Sequence, residues 1–310
     1  MNEVILSIAV CSLILYQIVS CDDVVNGMVL IIPQHKLVLG RTKENFDSKK
    51  DWKKLDVKPF LISETPITNT QFSKFVSKQK FKTEAEVFKW SFVFEKFVSD
   101  DIKEEISNSV KGAEWWLPVE GAYWKHPSGP GSSAGRKPDH PAVHISFNDA
   151  VEYCQAQGAR LPSEPEWEFA ARGGMRDQQY PWGNGYEKNR MNIWQGKFPK
   201  ENKGKDGYIG VAPVKAFKPQ NPFGIYDMIG NTWEWTSTVF GVDSQTRMPQ
   251  YTLRGGSYVD SVDGKFNHRA DVTTRMGNTA DAGSDNIGFR CARDATRKDM
   301  DDRKTGKQEL

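Results

Sequence analysis

"LPSEPEWEFAARGG", residues 161–174, is the stretch on which the reading of the fold turns. Ser163 stands three residues ahead of Glu166, the spacing of a capping box. In that motif the hydroxyl accepts from one free helix N–H and the glutamate reaches back to another. Trp167 and Ala170 then fall on one inward face, and Gly173 stops the helix. The same grammar recurs upstream. In "SFNDAVEYCQAQG" (146–158) Ser146 caps, Ala150, Tyr153 and Cys154 share a face, and Gly158 ends the helix. In "KPFLISETPITNTQFSKFVSKQ" (58–79) a strand around Phe60–Ser63 precedes a helix boxed by Thr68 and Gln71, with Phe72, Phe75 and Val76 turned inward. "TEAEVFKWSFVFEKFV" (83–98) opens with a third box, Thr83 and Glu86, but its later β-branched and aromatic residues fit a strand equally well. "MVLIIPQHKLVLG" (28–40) reads as short strands broken by Pro33. The Gly/Pro/Ser-rich segment 125–141 is a loop excursion within one domain, because aromatic-rich, short-stranded sequence flanks it on both sides. Beyond residue 175 the chain is mostly Gly, Asn and Asp turns with isolated aromatics, down to "NIGFRCARD" (286–294). The expectation is a single irregular α+β domain with little regular secondary structure.

Composition bounds the function. The 310 residues are 38% hydrophobic, 12% aromatic and 26% charged, with ten tryptophans, which is globular. Forty-two basic against forty acidic side chains leave a formal +2, so neither a nucleic-acid partner nor an acidic substrate is implied. The tryptophans Trp182, Trp194, Trp233 and Trp235 read as core. The five histidines show no zinc spacing.

Both ends read as addresses. "VILSIAVCSLILYQIV" (4–19), followed by Ser20-Cys21 and an acidic turn, has the length of a secretory signal, giving a cleaved leader over residues 1–21 and no membrane span afterwards. Residues 296–310 form a charged, mobile tail ending in "KQEL", similar to the signal that returns proteins to the endoplasmic reticulum, with Gln308 in place of the usual acid. A luminal protein that leaks partly into secretion is expected. After leader removal Cys154 and Cys291 remain. They either pair, stabilising the fold by on the order of 4 kcal/mol through the long loop they close, or stay as buried thiols. No N-glycosylation sequon is present.

Five stretches appear in order: "ETPITNTQFSKFV", "HPAVHISFNDAVEYC", "ARLPSEPEWEFAARGG", "YPWGN…NIWQGKFP" and "GNTWEWTS…LRGGSY…NIGFRCARD". Together they resemble the formylglycine-generating enzyme, or sulfatase-modifying factor, family over residues 26–295. The resemblance implies one domain related to C-type-lectin-like folds, a luminal location, and, in active members, oxidation of a sulfatase cysteine with copper and oxygen. Active members carry two cysteines just after the R-G-G-S-Y turn, and their thiolates hold Cu(I), a soft ion that needs soft ligands. Here Asp260 occupies the first position. The second falls within 264–267, and no cysteine lies between Cys154 and Cys291. The resemblance therefore points to a non-catalytic paralogue without copper, which binds sulfatases, the active enzyme or both, as a homodimer or heterodimer, and modulates sulfatase maturation. It pairs Cys154 with Cys291. It leaves a second family disulfide without either partner, near Ala171 and near 270–272.

Site residues follow from the same resemblance. One structural calcium would use Asn192, Ile193, Asp206 and Tyr208, and a second Asp227, Gly230, Thr232 and Glu234, both sets mixing side-chain and main-chain oxygens as a hard cation requires. Ser257, Arg275 and Asn286 match positions along the family's peptide groove, although Arg275 reads equally as a surface ion pair. The alternative is a cysteine-independent enzyme, such as a non-haem metal oxygenase, with metal at Asp260, Asp263 and His268. A carbohydrate-binding role rests on fold analogy alone. A Ser257-based triad with His268 lacks the strand–turn–helix setting of a nucleophile elbow.

Overall fold

Four capping boxes start four of the helices in the computed structural model, which describes residues 24–305 apart from 26, 46, 47, 49, 51 and 266. The leader and the KQEL terminus lie outside the described residues. Strands β1 (Val24–Val25), β2 (Met28–Ile31), β3 (Leu37–Val38), β4 (Lys54–Leu55) and β5 (Phe60–Ser63) come first. Helix α1 (Asn69–Gln79) follows its Thr68/Gln71 box, and α2 (Glu84–Phe88) its Thr83/Glu86 box. Lys89, left-handed at φ 67°, then turns the chain into β6 (Trp90–Phe94), so the ambiguous stretch is a helix and then a strand. Helix α3 (Asp100–Glu105) and strand β7 (Trp116–Glu120) lead to α4 (Phe147–Ala156) and α5 (Glu164–Ala171), boxed by Ser146/Asp149 and Ser163/Glu166. Strands β8 (Trp233–Val242), β9 (Pro249–Arg254), β10 (Arg275–Thr279), β11 (Ile287–Gly288) and β12 (Ala292–Asp294) complete the sheets. Helix α6 (Arg297–Thr305) occupies most of the expected tail. Thr296 caps it onto Asp299, which also pairs with Arg293 at 2.7 Å.

Two four-stranded sheets, β1-β2-β5-β12 and β10-β9-β8-β11, frame the domain, with β11 parallel to β8 and the remaining pairs antiparallel. The second sheet departs from the turn-rich reading of the C-terminal third. Trp233–Thr236 are buried in succession, so the alternation that betrays a half-buried strand is absent. One core packs around Trp167, Ile229 and Phe60; another packs Phe72, Tyr153, Trp235 and Phe289 around the Cys154–Cys291 disulfide. Ala171, Ala270 and Val272, the positions of the missing second disulfide, are fully buried in the Trp167 core, where apolar packing stands in for the bridge.

Between α5 and β8, residues 172–232 form neither helix nor named strand. Buried amide side chains supply the partners that a ladder would. Asn221 Nδ2 donates to the α5 carbonyls of Ala170 and Ala171, at 2.7 and 3.0 Å. Gln220 both donates to Ile229 O and accepts from Ile229 N. Asn231 does the same for Ala212.

Charges also sit in the core. Arg290 donates to both carboxylate oxygens of Glu234 at 2.7 and 2.8 Å, and to Ser63 O and Tyr226 O, joining β8, β5 and the 226 turn. Trp167 Nε1 donates to the same carboxylate at 2.7 Å. Both charged side chains are fully buried. Arg290→Met should therefore lower unfolding free energy by about 3–5 kcal/mol, because it strands the Glu234 charge. Urea titration checks this, and a loss under about 1 kcal/mol would refute the assignment.

Candidate functional site

The turn that follows β9 positions the site. Gly255 (φ 96°) and Gly256 (φ 73°) take backbone conformations that side chains resist, and a Cβ on Gly255 would lie 2.7 Å from Met228 O. This tight passage delivers Ser257, fully buried, and Asp260, which is 1% exposed. Asp260 Oδ2 accepts from Ser257 N at 2.7 Å and from Ser257 Oγ at 2.9 Å. Its Oδ1 accepts from His268 N at 3.1 Å and lies 3.3 Å from His268 Nδ1. Asn286, also buried, donates from Nδ2 to Ser257 Oγ at 3.0 Å and accepts from Ser284 Oγ. The carboxylate is thus the centre of a closed knot of hydrogen bonds where active relatives of the resemblance would hold sulfur.

The order within the knot decides its chemistry. Asp260 lies between the serine and the histidine, so the group that accepts from the Ser257 hydroxyl is a carboxylate rather than an imidazole, and the hydroxyl has no exposed face. Asp263 points away: its Oδ1 accepts from Ser261 Oγ and Lys265 N, and its side chain is exposed. Among the described residues no three His, Cys, Asp or Glu side chains converge to hold a metal: Asp260 meets His268, but Asp263 does not join them. Arg275 is also apart from the knot. It pairs with Glu164 at 2.8 Å and lies over Phe240, which is the ion-pair reading of that residue.

Next to the knot, Asp285 accepts from Tyr258 OH at 2.9 Å and from Phe94 N at 3.1 Å, and burial pushes its carboxyl up to about 7. Sequence reasoning missed this pair; neighbouring Asn286 and Ser257 were the only hint.

Of the first expected calcium set, Asp206 and Asn192 lie buried. Asp206 accepts from Ile193 N at 3.0 Å and Tyr208 N at 3.1 Å, with its pKa raised by burial. Asn192 is fully buried and its Oδ1 has no partner. In the second set Asp227 Oδ2 and Thr232 Oγ1 are likewise buried and unpartnered, and burial raises Asp227 to about 7. Glu234, however, has both oxygens on Arg290.

Residues 20–295 match the model of the sulfatase-modifying factor enzyme 1-like domain. The chain belongs to the sulfatase-modifying factor family. It is 53% identical over 252 residues to the inactive C-alpha-formylglycine-generating enzyme 2 of Bos taurus, covering 81% of this chain and 82% of that one. The formylglycine-generating enzyme of Bos taurus is 42% identical over 261 residues, 80% of this chain and 69% of the other. The solved structure of PvdO from Pseudomonas aeruginosa superposes with a TM-score of 0.57 at 22% identity, covering 86% of this chain and 94% of that one, a likeness of fold. This family member lacks the thiol pair: among the described residues its cysteines are Cys154 and Cys291, joined in the disulfide with Cα atoms 5.6 Å apart.

The knot titrates. Bonding to Asp260 raises the His268 pKa, against a smaller opposing effect of burial. A raised folded value means that the stabilisation is full below the ordinary imidazole value and is lost as pH climbs through the folded one. NMR titration should find the His268 midpoint above the ordinary range and Asp260→Asn should bring it down. The stability gap between wild type and His268→Gln should be largest below about pH 6. A midpoint that Asp260→Asn leaves unmoved would break the proposed pairing.

Proposed function

We propose that the protein is a non-catalytic luminal member of its family that binds sulfatase polypeptides, the active formylglycine-generating enzyme, or both, and modulates sulfatase maturation. The observation that carries this reading is Asp260: a hard carboxylate, already saturated by Ser257 and His268, stands where a Cu(I) thiolate is needed. Recognition then falls to half-exposed side chains, His268 on the rim of the knot and Arg275 on Glu164, rather than to its sealed floor. Arg275 shares Glu164 with Arg254, so a partner's carboxylate or carbonyl can still meet its guanidinium edge.

Calcium belongs to the same proposal. The unpartnered Asn192 Oδ1, together with Asp206 and the main-chain oxygens of Ile193 and Tyr208, makes an all-oxygen donor set that fits a hard cation. Bound there, calcium would tie together a segment that has no ladder of its own. The second set of Asp227, Gly230, Thr232 and Glu234 is the poorer fit, since the Arg290 cation already neutralises Glu234. The secretory leader and the KQEL retrieval signal complete the reading as sequence features.

Incubated with a Cys-x-Pro-x-Arg peptide, copper, oxygen and reductant, the protein should form no aldehyde detectable by mass spectrometry, while an unfolded sulfatase chain or the active enzyme is captured saturably. Chelation of calcium should lower the melting temperature of the wild type and leave Asp206→Ala unaffected. Turnover to aldehyde would end the first part, and a melting curve indifferent to chelator the second.

A further inference from the structure

The near balance of 42 basic and 40 acidic residues hides a local imbalance. A cleft of about 390 Å³ lies between the β3–β4 region and the turn after α5, lined among others by Lys36, Arg41, Lys54, Arg172, Arg176 and Asp177. Five of those six side chains are cationic and one is acidic. Their pairing is uneven. Arg41 is held bidentately by Asp177 at 2.7 and 2.8 Å, Arg172 by Glu168, and Lys36 by Asp56 at 2.8 Å. Lys54 and Arg176 are exposed and have no ion pair or hydrogen bond among the described residues.

The cleft is also built. His35 reaches across it, with its ring nitrogens 3.0 Å from Lys36 O and Gly174 O, fixing the β2–β3 connection to the turn after α5. Leu37 and Val38 are buried beneath. Two uncommitted cations on a wall already stiffened by a half-buried Arg41–Asp177 pair repel cations and gain nothing from apolar surface. A doubly charged oxyanion meets both at once, and the guanidinium fork of Arg176 matches two oxygens of a tetrahedral group. The volume accommodates the group together with a sugar-sized carrier.

We infer that this cleft, whose lining includes no residue of the Asp260 knot, is a binding site for a sulfate or phosphate ester, with Lys54 and Arg176 as its charge-recognising residues. The site does not depend on how the knot is read.

The test is calorimetric titration of the full mature protein, calcium present, at low salt, with inorganic pyrophosphate and separately with a heparin-derived tetrasaccharide. At least one probe should bind saturably at one per chain and weaken as salt is raised. The double variant Lys54→Ala/Arg176→Ala should bind at least tenfold more weakly with unchanged melting temperature, because both side chains are exposed. Lys74→Ala/Lys78→Ala, on the outer face of α1, should bind as wild type. Saturation by the sulfated sugar alone assigns a sulfate ester, and by pyrophosphate alone a phosphate. No saturable binding of either probe, or equal weakening in both double variants, overturns the inference.

Discussion

Arg254 is the residue the rest of the architecture leans on. Its guanidinium is buried at the end of β9, between Glu164 at 2.9 Å and Glu168 at 2.6 Å, and it also donates to Val272 O. Glu164, Glu168 and Arg172 recur every fourth residue, so one face of α5 carries a charged stripe into the core rather than into water. Glu168 also pairs with Arg172 at 2.7 Å and accepts from Gly40 N, which adds the N-terminal strands to the same knot of charge. Burying such charges costs several kcal/mol each and is tolerated only when each is paired. What the arrangement provides is registry: helix, sheet and N-terminal segment meet in one geometry. Arg254 is followed directly by the Gly255-Gly256 turn, so that registry also sets where Ser257 and Asp260 lie.

From this follows the contrast between scaffold and site. The scaffold charges, Arg254, Glu168, Arg290 and Glu234, lie in the motifs that carry the family resemblance, and they are intact. One turn further on, at the position that the resemblance assigns to a thiol, Asp260 stands with partners of its own. Asp260, buried with one oxygen on Ser257 and the other on His268, is part of the wall and offers Cu(I) no soft ligand. The proposed non-catalytic role and the family fold are therefore compatible, because different residues are responsible for each.

How much of this the sequence disclosed depends on the range of the interaction. The capping boxes at Thr68, Thr83 and Ser163 and the cap at Ser146 were legible because capping is a local hydrogen-bond rule, while the Asp149 half of the Ser146 box came only from the fold. The strand Phe60–Ser63 and the break at Pro33 were legible for the same local reason. Strands β8 and β9 were not, since Trp233–Thr236 are covered on both faces and show no alternation. The buried stripe on α5 was also missed, because charged residues default to solvent unless their partners, here ninety residues away, are known. The amide-stitched segment 172–232 could be read only as turns. At the site, the absent thiol was plain from the letters, while the enclosure of Asp260 by Ser257 and His268 needed the fold. The basic cleft was invisible to composition because Lys36, Lys54 and Arg176 are scattered along the chain.

The most direct measurement of the central claim is native-state amide hydrogen exchange at Ser257 and His268, the two main-chain N–H groups that donate to Asp260. If the carboxylate has become part of the wall, both amides exchange only through large-scale opening, with protection close to that of the β8–β9 ladder. Exchange at both positions as fast as in an open loop would show a pliant, accessible cleft floor and contradict the account.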